Sequence, residues 1–239
     1  MEAFRAMCGR FTLTADFSAV QAAFSWAALQ SEAVPAVPRY NIAPTQTVTA
    51  VVYDGSNQLV QLKWGLVPAW SKVPQIVPPL INARAETVAE KPSFRSAFRQ
   101  RRCLILADGW FEWQVQSNGK PKQPHWVRLH SRHVFAMAGL WERWGPPGET
   151  ELRTCTIITC EASAALAPLH VRMPVVLAAE SYADWLRPEP ADARVLRELL
   201  RPFESEPFNA QRVSTIVNNA RIDSVECVRP LTPIDEAPV

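Results

Sequence analysis

The stretch Cys103-Leu104-Ile105-Leu106-Ala107-Asp108-Gly109-Trp110-Phe111-Glu112-Trp113 contains the clearest strand signal in this sequence. Its first five residues are apolar without interruption, which is typical of a buried β-strand. Asp108 and Gly109 follow, and Glu112 then stands among aromatic residues. A glutamate in that position either faces solvent through strand alternation or is buried with a raised pKa, and the second arrangement would suit a general acid or base.

Further runs of β-branched and apolar residues lie on both sides of this stretch. Residues 48–53 and 59–64 flank Asp54-Gly55-Ser56-Asn57 and predict a β-hairpin. Additional strands are predicted at residues 125–129, 134–141, 154–159, 175–177 and 213–217. Because strands predominate and do not alternate regularly with helices, the predicted fold class is α+β.

The predicted helices are few and short, and we place them at the periphery. Residues 14–26 have apolar positions at helical spacing, with Thr14 or Asp16 as the N-cap. Residues 94–102 also have helical character, and we interpret their four arginines as a solvated helix face. Two later helices are predicted at residues 181–186 and 191–200.

The composition is that of an ordinary soluble protein. The 239 residues are 48% hydrophobic and 20% charged, and the formal net charge is +2. So weak a charge neither requires nor excludes a nucleic-acid partner, because a local basic groove is sufficient for one. No segment has the pattern of a signal peptide or approaches the ~18 apolar residues of a membrane span. We therefore expect a monomeric cytoplasmic protein without membrane association.

The chain has five cysteines, an odd number, and we expect reduced thiols rather than a disulfide framework. Cys155, Cys160 and His170 do not have the spacing of a standard zinc site, and a fourth ligand is not evident. The sequence therefore predicts neither a metal site nor an organic cofactor.

One cysteine, Cys8, directly follows Met7 near the start of the chain. If translation began at Met7, or if residues 1–6 were removed, and Met7 was then cleaved off, Cys8 would carry a free α-amine beside its thiol. The amine has a pKa near ~8 and the thiol one near ~8.5, so both are partly nucleophilic at neutral pH. Such a 1,2-aminothiol can capture an aldehyde as a five-membered thiazolidine. The alternative is that Cys8 is a small buried hydrophobic residue, as free cysteines often are.

Two other features allow more than one interpretation. The segment Trp64-Gly65-Leu66-Val67-Pro68-Ala69-Trp70 could form a packed corner or an exposed stacking surface, and spacing alone favours the corner. For a single histidine such as His170, the default is a core residue whose hydrogen bonds are satisfied.

Five segments, in order, resemble one known family. They are Met7-Cys8-Gly9-Arg10-Phe11, Arg39-Tyr40-Asn41-Ile42-Ala43-Pro44, Ile81-Asn82-Ala83-Arg84-Ala85-Glu86-Thr87, Asp108-Gly109-Trp110-Phe111-Glu112-Trp113 and His170-Val171-Arg172-Met173-Pro174. Together they resemble the SRAP family, the SOS response-associated peptidases that process abasic sites in single-stranded DNA. The resemblance implies a compact single α+β domain, residues 7–225, with a β-barrel-like core and peripheral helices. Residues 1–6 would then be an N-terminal extension that is absent or removed in the active form, and residues 226–239 a loose tail.

The resemblance also implies roles for particular residues. Cys8 matches the N-terminal cysteine that forms a thiazolidine with the ring-opened aldehyde of an abasic deoxyribose, and Asn82 matches an asparagine that holds the cysteine and the sugar. Glu112 and His170 match the catalytic glutamate and histidine, and both residue types are suited to proton transfer. The implied DNA-binding or site-lining positions are Arg10, Pro44, Trp64, Trp70, Arg84, Thr159 and Arg172.

Two features depart from the family pattern. Residues 1–6 precede Met7, whereas family members expose the cysteine once the initiator methionine is removed. Val171 stands between His170 and Arg172, where the family usually has an acidic residue. We expect this second change to weaken the orientation of His170 and to slow the chemistry.

The function implied by the resemblance is that of an abasic-site sensor in the DNA damage response. The protein would crosslink covalently to abasic sites in single-stranded DNA, protect them, and show some lyase activity, and it would associate with the nucleoid when bound. Two alternatives remain open. One is a cysteine-dependent peptidase or autopeptidase in which Cys8 attacks a peptide bond with His170 as the base. The other is a single-stranded nucleic-acid binder without catalytic activity.

Overall fold

The computed structural model describes residues 8–29, 37–116, 121–131, 133–146, 151–187 and 193–231. The strands are β1 (Phe11–Leu13), β2 (Ala28–Leu29), β3 (Arg39–Ile42), β4 (Thr47–Tyr53), β5 (Asn57–Trp64), β6 (Asn82–Arg84), β7 (Arg102–Ala107), β8 (Gly109–Gln114), β9 (Gln123–Leu129), β10 (Phe135–Trp144), β11 (Leu152–Glu161), β12 (Arg172–Pro174), β13 (Val176–Leu177) and β14 (Phe208–Arg212). The helices are α1 (Phe17–Ala23), α2 (Arg95–Gln100), α3 (Tyr182–Leu186) and α4 (Ala193–Glu198), with 3-10 helices at Ala179–Ser181, Thr215–Asn218 and Val225–Cys227. Within these ranges no helix has the length and apolar character needed to cross a membrane.

The larger of the two sheets closes on itself. Its strand order is β12-β11-β10-β7-β4-β5-β2, and β11 also pairs with β5 in parallel, at Thr154 with Lys63 and Cys155 with Trp64. A closed ring is therefore formed by β11, β10, β7, β4 and β5. Closure gives hydrogen-bond partners to backbone groups that would be unpaired at the edges of an open sheet. The predicted α+β class and its β-barrel-like core are confirmed.

The smaller sheet has the order β14-β9-β8-β1-β3 and is antiparallel at every pairing. Strand β1 begins three residues after Cys8, and β8 contains Glu112. These two strands are direct neighbours, with Phe11 opposite Trp110 and Thr12 opposite Gly109. This pairing brings two sequence segments about a hundred residues apart to the same place.

One buried carboxylate fixes the path of the chain after β1. The Oδ1 atom of Asp108 accepts a hydrogen bond from the Thr12 hydroxyl at 2.5 Å. Its Oδ2 atom accepts from the backbone N–H and hydroxyl of Thr14, at 2.5 and 2.7 Å, and from the Ala15 N–H at 2.9 Å. Asp108 therefore binds the C-terminal end of β1. Because Cys8 precedes the other end of this strand, the same hydrogen bonds help to hold Cys8 near β8.

The interior of the barrel is tightly packed at Gly139 on β10. This residue lies opposite Cys103 on β7 and opposite Ile157 on β11. A Cβ atom added at Gly139 would lie 2.8 Å from both the Cys103 Sγ and the Ile105 Cδ1 atoms. Only glycine fits without a shift of these neighbours.

The first helix is shorter than predicted. It covers Phe17–Ala23 rather than residues 14–26, and Asp16 is its N-cap, with Oδ1 accepting from the Ala19 N–H at 2.8 Å. Thr14 lies before this cap, outside the helix, and its hydroxyl and N–H donate to Asp108.

The interpretation of the arginines in 94–102 as a solvated face is wrong for Arg102. This residue begins β7 instead of ending the helix, and its side chain is buried. Its guanidinium donates to backbone carbonyls, and burial lowers its pKa to about 10. The carbonyls are those of Phe98, Arg99, Trp185 and Arg187. Arg102 therefore joins the ends of α2 and α3 to the barrel.

The C-terminal part also differs from prediction. The strand expected at 213–217 lies earlier, at Phe208–Arg212, and Thr215–Asn218 is a 3-10 helix that begins at the Ser214 cap. Cys227 is completely buried in a small apolar cluster with Phe111. The Leu231 N–H donates to the Arg212 carbonyl at 3.1 Å. Residues 226–231 are thus packed against the domain, in contrast to the loose tail predicted from 226, and the rest of that predicted tail, residues 232–239, lies outside the described residues.

Candidate active site

Cys8 lies inside the protein rather than on its surface. Only 1% of its surface is exposed, and its φ of 27° is in the left-handed region that few residues other than glycine adopt. The Asn82 side-chain amide donates to the Cys8 carbonyl at 3.4 Å. Burial raises the pKa of the Cys8 thiol well above its usual value, and the nearby Glu112 carboxyl adds to this increase. The thiol is therefore protonated at neutral pH.

Asn82 reaches Cys8 because β6 attaches to the barrel. Strand β6 runs parallel to β11, with Asn82 opposite Ile157 and Arg84 opposite Thr159. Side chains alternate along a strand, so Asn82 and Arg84 point to the same face. The first of these contacts the Cys8 backbone and the second is exposed.

Glu112 is buried, which answers the question that its sequence position left open. Strand alternation places it on the same face of β8 as Trp110, which packs edge-on against Phe135 and Phe208. Burial raises the pKa of Glu112 well above its usual value, and an interaction with the Cys8 backbone N–H is the largest effect acting in the opposite direction. A neutral carboxyl group next to the Cys8 nitrogen can exchange protons with that atom.

His170 also lies next to Glu112. Its Nδ1 atom is 3.8 Å from the Glu112 Oε2 atom, and its side chain is 14% exposed. The same ring nitrogen is 3.2 Å from the Arg172 backbone nitrogen and 3.1 Å from the Arg172 carbonyl oxygen. Val171 is 59% exposed. The backbone of Arg172 therefore positions the imidazole, without a carboxylate at position 171.

Arg172 and Thr159 form a second polar group beside these residues. The Arg172 Nη2 atom donates to the Thr159 carbonyl at 2.6 Å, and both Nη atoms donate to the Glu86 carboxylate, at 2.6 and 2.9 Å. The Thr159 side chain is fully buried, while Arg84 is exposed on the neighbouring strand. Thr159 pairs with Arg84 of β6 on one edge of β11 and with Pro174 of β12 on the other. Arg84 and Arg172 therefore flank β11 from opposite edges, and both could meet an anion.

Arg10 is engaged inside the protein. Its Nη1 atom donates to the Asn41 side-chain oxygen at 2.9 Å and to the Val217 carbonyl at 2.6 Å, and Nη2 donates to the Asn218 carbonyl at 3.3 Å. Burial lowers its pKa. These bonds hold the C-terminal segment beside Cys8, so the structure gives Arg10 a role in the fold. Its contact with DNA stays a prediction.

The two tryptophans of the Trp64–Trp70 segment have opposite environments. Trp64 is completely buried, donates from its indole to the Ile81 carbonyl at 2.8 Å, and packs edge-on against Phe11. The segment is therefore packed at Trp64, as spacing favoured, and neither face of the Trp64 ring is accessible to a DNA base. Trp70 is 64% exposed and is the available stacking surface. Pro44 is half-buried and precedes Thr45, a turn residue with φ 72°.

Comparison with known proteins identifies the family to which this chain belongs. Residues 7–220 match the sequence profile of the family described as SOS response associated peptidase (SRAP). The chain belongs to the SRAP family.

Several relatives of this SRAP protein have names that describe DNA processing. The abasic site processing protein YoqW of Bacillus subtilis (strain 168) is 41% identical over 223 residues, which cover 93% of this chain and 99% of that protein. The abasic site processing protein HMCES of Gallus gallus is 34% identical over 197 residues, covering 72% of this chain and 57% of that protein. A solved structure from Bacteroides thetaiotaomicron superposes with a TM-score of 0.79 at 25% identity, covering 94% of this chain and 100% of that one.

Two residues of the SRAP site were not identified from the sequence. Glu86 lies within one of the family segments, but only the fold shows that it binds Arg172. Gln114 carries no sequence signal, yet its side-chain amide donates to the Pro168 carbonyl at 3.2 Å. This bond ties β8, two residues after Glu112, to the turn that leads into His170.

The acidic and nucleophilic residues of the SRAP site are not grouped as metal ligands would be. Across the described ranges, no three residues of the types His, Cys, Asp and Glu come together as a metal cluster. Within the described residues, the groups available for nucleophilic attack or proton transfer are the side chains of the site and the Cys8 backbone nitrogen.

Proposed function

We propose that this protein captures abasic sites in single-stranded DNA as a covalent thiazolidine adduct on Cys8, and thereby protects them during the DNA damage response. The names of the relatives support abasic-site processing. The observation that carries the proposal is the position of the Cys8 backbone nitrogen, which interacts with the Glu112 carboxyl beside His170. The proposal requires this nitrogen to be an amine, either through a start at Met7 followed by removal of that methionine or through cleavage of the bond before Cys8 in the longer chain.

The reaction consists of two additions and the loss of one water. The Cys8 amine attacks the C1′ aldehyde of the ring-opened deoxyribose, and the carbinolamine loses water to give an imine. The thiol then adds across the C=N bond, so that sulfur bonds to carbon and the thiol proton passes to nitrogen. A thiol whose pKa is raised by burial retains that proton until the imine forms.

Glu112 and His170 supply the proton transfers in this scheme. A carboxyl group that is neutral because of its raised pKa can donate its proton to the oxygen that leaves as water, and the carboxylate so formed can take the proton that the amine nitrogen loses. His170 can protonate the sugar ring oxygen and so favour the open aldehyde. Asn82, whose amide does not titrate, holds the Cys8 carbonyl and fixes the amine relative to Glu112.

DNA binding is assigned to groups on the rim of the site, of which Arg84 and Trp70 are exposed and Arg172 is partly buried. Arg84 and Arg172 suit phosphate oxygens, and Trp70 offers an open indole face on which a base can stack. Stacking and phosphate contacts require no base sequence and fit an unpaired strand. The two alternative functions give Cys8 different roles. In a peptidase it would be a thiolate nucleophile, and in a simple DNA-binding protein it would have no chemical role.

The test is a crosslinking experiment with an abasic single-stranded oligonucleotide, analysed on a denaturing gel. The full chain, a chain that starts at Met7, and the variants Cys8→Ala and Cys227→Ser of the latter are compared. We expect a denaturant-resistant adduct from the Met7 chain and from Cys227→Ser, and none from Cys8→Ala. An adduct that persists in Cys8→Ala, or no adduct from any form that exposes Cys8, would refute the proposal.

A further inference from the structure

The phosphate-binding edge of Arg172 is already occupied within the protein. Its Nη1 and Nη2 atoms donate to the Oε1 and Oε2 atoms of Glu86, at 2.6 and 2.9 Å. Nη2 also donates to the Thr159 carbonyl, and the Nε atom is buried without a hydrogen-bond partner in the described part of the chain. The two N–H groups with which an arginine binds a phosphate in a bidentate manner therefore already bind a carboxylate.

Glu86 is the member of this pair that can move. Its side chain is 48% exposed, whereas that of Arg172 is 13% exposed and is held by Thr159. The backbone next to Glu86 is fixed, since the Ala85 N–H donates to the same Thr159 carbonyl at 2.9 Å. Rotation of the Glu86 side chain alone would thus uncover the guanidinium while the arginine stays in place.

A second cation, Arg84, also acts electrostatically on the Glu86 carboxylate. Burial acts to raise the pKa of Glu86, but the hydrogen bonds and charge of Arg172, together with the charge of Arg84, lower it overall. Glu86 is consequently an anion at neutral pH, bound by Arg172 and attracted by the charge of Arg84. When a DNA phosphate is absent, this carboxylate neutralises part of the positive charge on the rim.

We propose that Glu86 is an internal occupant of the phosphate site on Arg172 and that a DNA phosphodiester must displace it to bind there. This inference rests on the proposed function, which assigns Arg172 to phosphate. A carboxylate and a phosphodiester both present two oxygens to the guanidinium, and only one of them can hold the same Nη edge. The competition weakens non-covalent binding to undamaged DNA, so that stable retention depends on the covalent bond at a lesion.

The test is a double-mutant cycle with the full-length protein and an undamaged single-stranded oligonucleotide, read by fluorescence anisotropy at one fixed salt concentration. The variants are Glu86→Gln, Arg172→Gln and the double variant. Glu161→Gln is the matched control, because Glu161 lies opposite Arg172 in the β11–β12 ladder but is not a hydrogen-bond partner of its guanidinium. Thermal unfolding of each variant verifies that it is folded, and Glu86→Asp provides a second, more conservative variant.

We expect Glu86→Gln to lower the Kd about threefold to fivefold, the scale of one partly exposed ion pair. Glu86→Asp should act in the same direction, since the shorter side chain cannot reach both Nη atoms. In the Arg172→Gln background the gain should disappear, and Glu161→Gln should have a smaller effect than Glu86→Gln.

Two results would overturn this inference alone. Weaker binding by Glu86→Gln would mean that the carboxylate orients Arg172 for DNA. A gain that persists in the Arg172→Gln background would mean that Glu86 acts only as a diffuse negative charge. If Arg172→Gln itself leaves binding unchanged, or the wild-type protein binds no single-stranded DNA, the assignment of Arg172 under the proposed function fails first and the inference fails with it.

Discussion

Replacing Glu112 by glutamine is expected to make the protein more stable at neutral pH and less active. The carboxyl group is 4% exposed, its Oε1 atom has no hydrogen-bond partner among the described residues, and burial raises its pKa well above the usual value. The folded protein therefore keeps a proton that the unfolded chain loses above about pH 4.3. The free energy of unfolding contributed by this group is full below that pH and declines as the pH rises toward the folded pKa.

The size of this effect follows from the linkage of one proton. The limiting slope is about 1.4 kcal/mol per pH unit, so wild-type stability falls by up to about 3 kcal/mol between pH 5 and pH 7 through this group. A glutamine at this position cannot titrate, and the other ionisable groups are common to both proteins. The difference in unfolding free energy, variant minus wild type, should therefore increase with pH. Crosslinking should slow by about 10²- to 10⁴-fold, because a general acid–base group is lost.

The assay is urea unfolding followed by tryptophan fluorescence, repeated between about pH 5 and about pH 8. Glu142→Gln is the matched control, since Glu142 is equally buried but has Arg101 as a partner at 2.5 Å. That variant should be less stable than wild type at pH 7, by about 1–3 kcal/mol. A stability difference for Glu112→Gln that is flat or falls with pH would show that Glu112 is ionised in the folded protein, and the proton-transfer scheme above would be wrong.

Three further outcomes are expected from other parts of the structure. Gly139→Ala should lower the free energy of unfolding by about 1–3 kcal/mol because its Cβ would overlap Cys103 and Ile105, and an unchanged urea midpoint would contradict the packing described. Asp108→Ala should cost about 2–4 kcal/mol, since buried donors on the segment after β1 lose their acceptor, whereas a loss below about 0.5 kcal/mol would show that this anchor is unimportant. Trp70→Ala should weaken binding to undamaged single-stranded DNA by about 5- to 150-fold with unchanged thermal stability, and unaltered anisotropy titrations would exclude stacking at this ring.

The fold class was accessible from the sequence because strand signals are local. The apolar run at β7 and the hairpin of β4 and β5 depend on residue type and alternation, and both form as predicted. The closure between β5 and β11 could not be predicted from local pattern, since it pairs Trp64 with Cys155 far along the chain. Arg102 was misinterpreted for a similar reason. Its charge suggests solvent, but four backbone carbonyls from two helix ends surround it.

The site was partly accessible because its residues lie in short family segments. Those segments identified Cys8, Asn82, Glu112 and His170, and the structure brings them together. What the segments could not provide is the direction in which each side chain points. The family resemblance implied a DNA-binding or site-lining position for Trp64, whose side chain is completely buried.

The most direct test of the central proposal is the intact mass of the adduct formed with an abasic single-stranded oligonucleotide. We expect the sum of the DNA and a chain that begins at Cys8, minus one water, and a Cys8 thiol that no longer reacts with iodoacetamide. Borohydride treatment after the reaction should leave this mass unchanged, because a thiazolidine has no C=N bond to reduce. An adduct that gains two hydrogens under borohydride and keeps a free Cys8 thiol would be an imine, and an adduct on a chain that retains the residues before Cys8 would contradict the aminothiol mechanism.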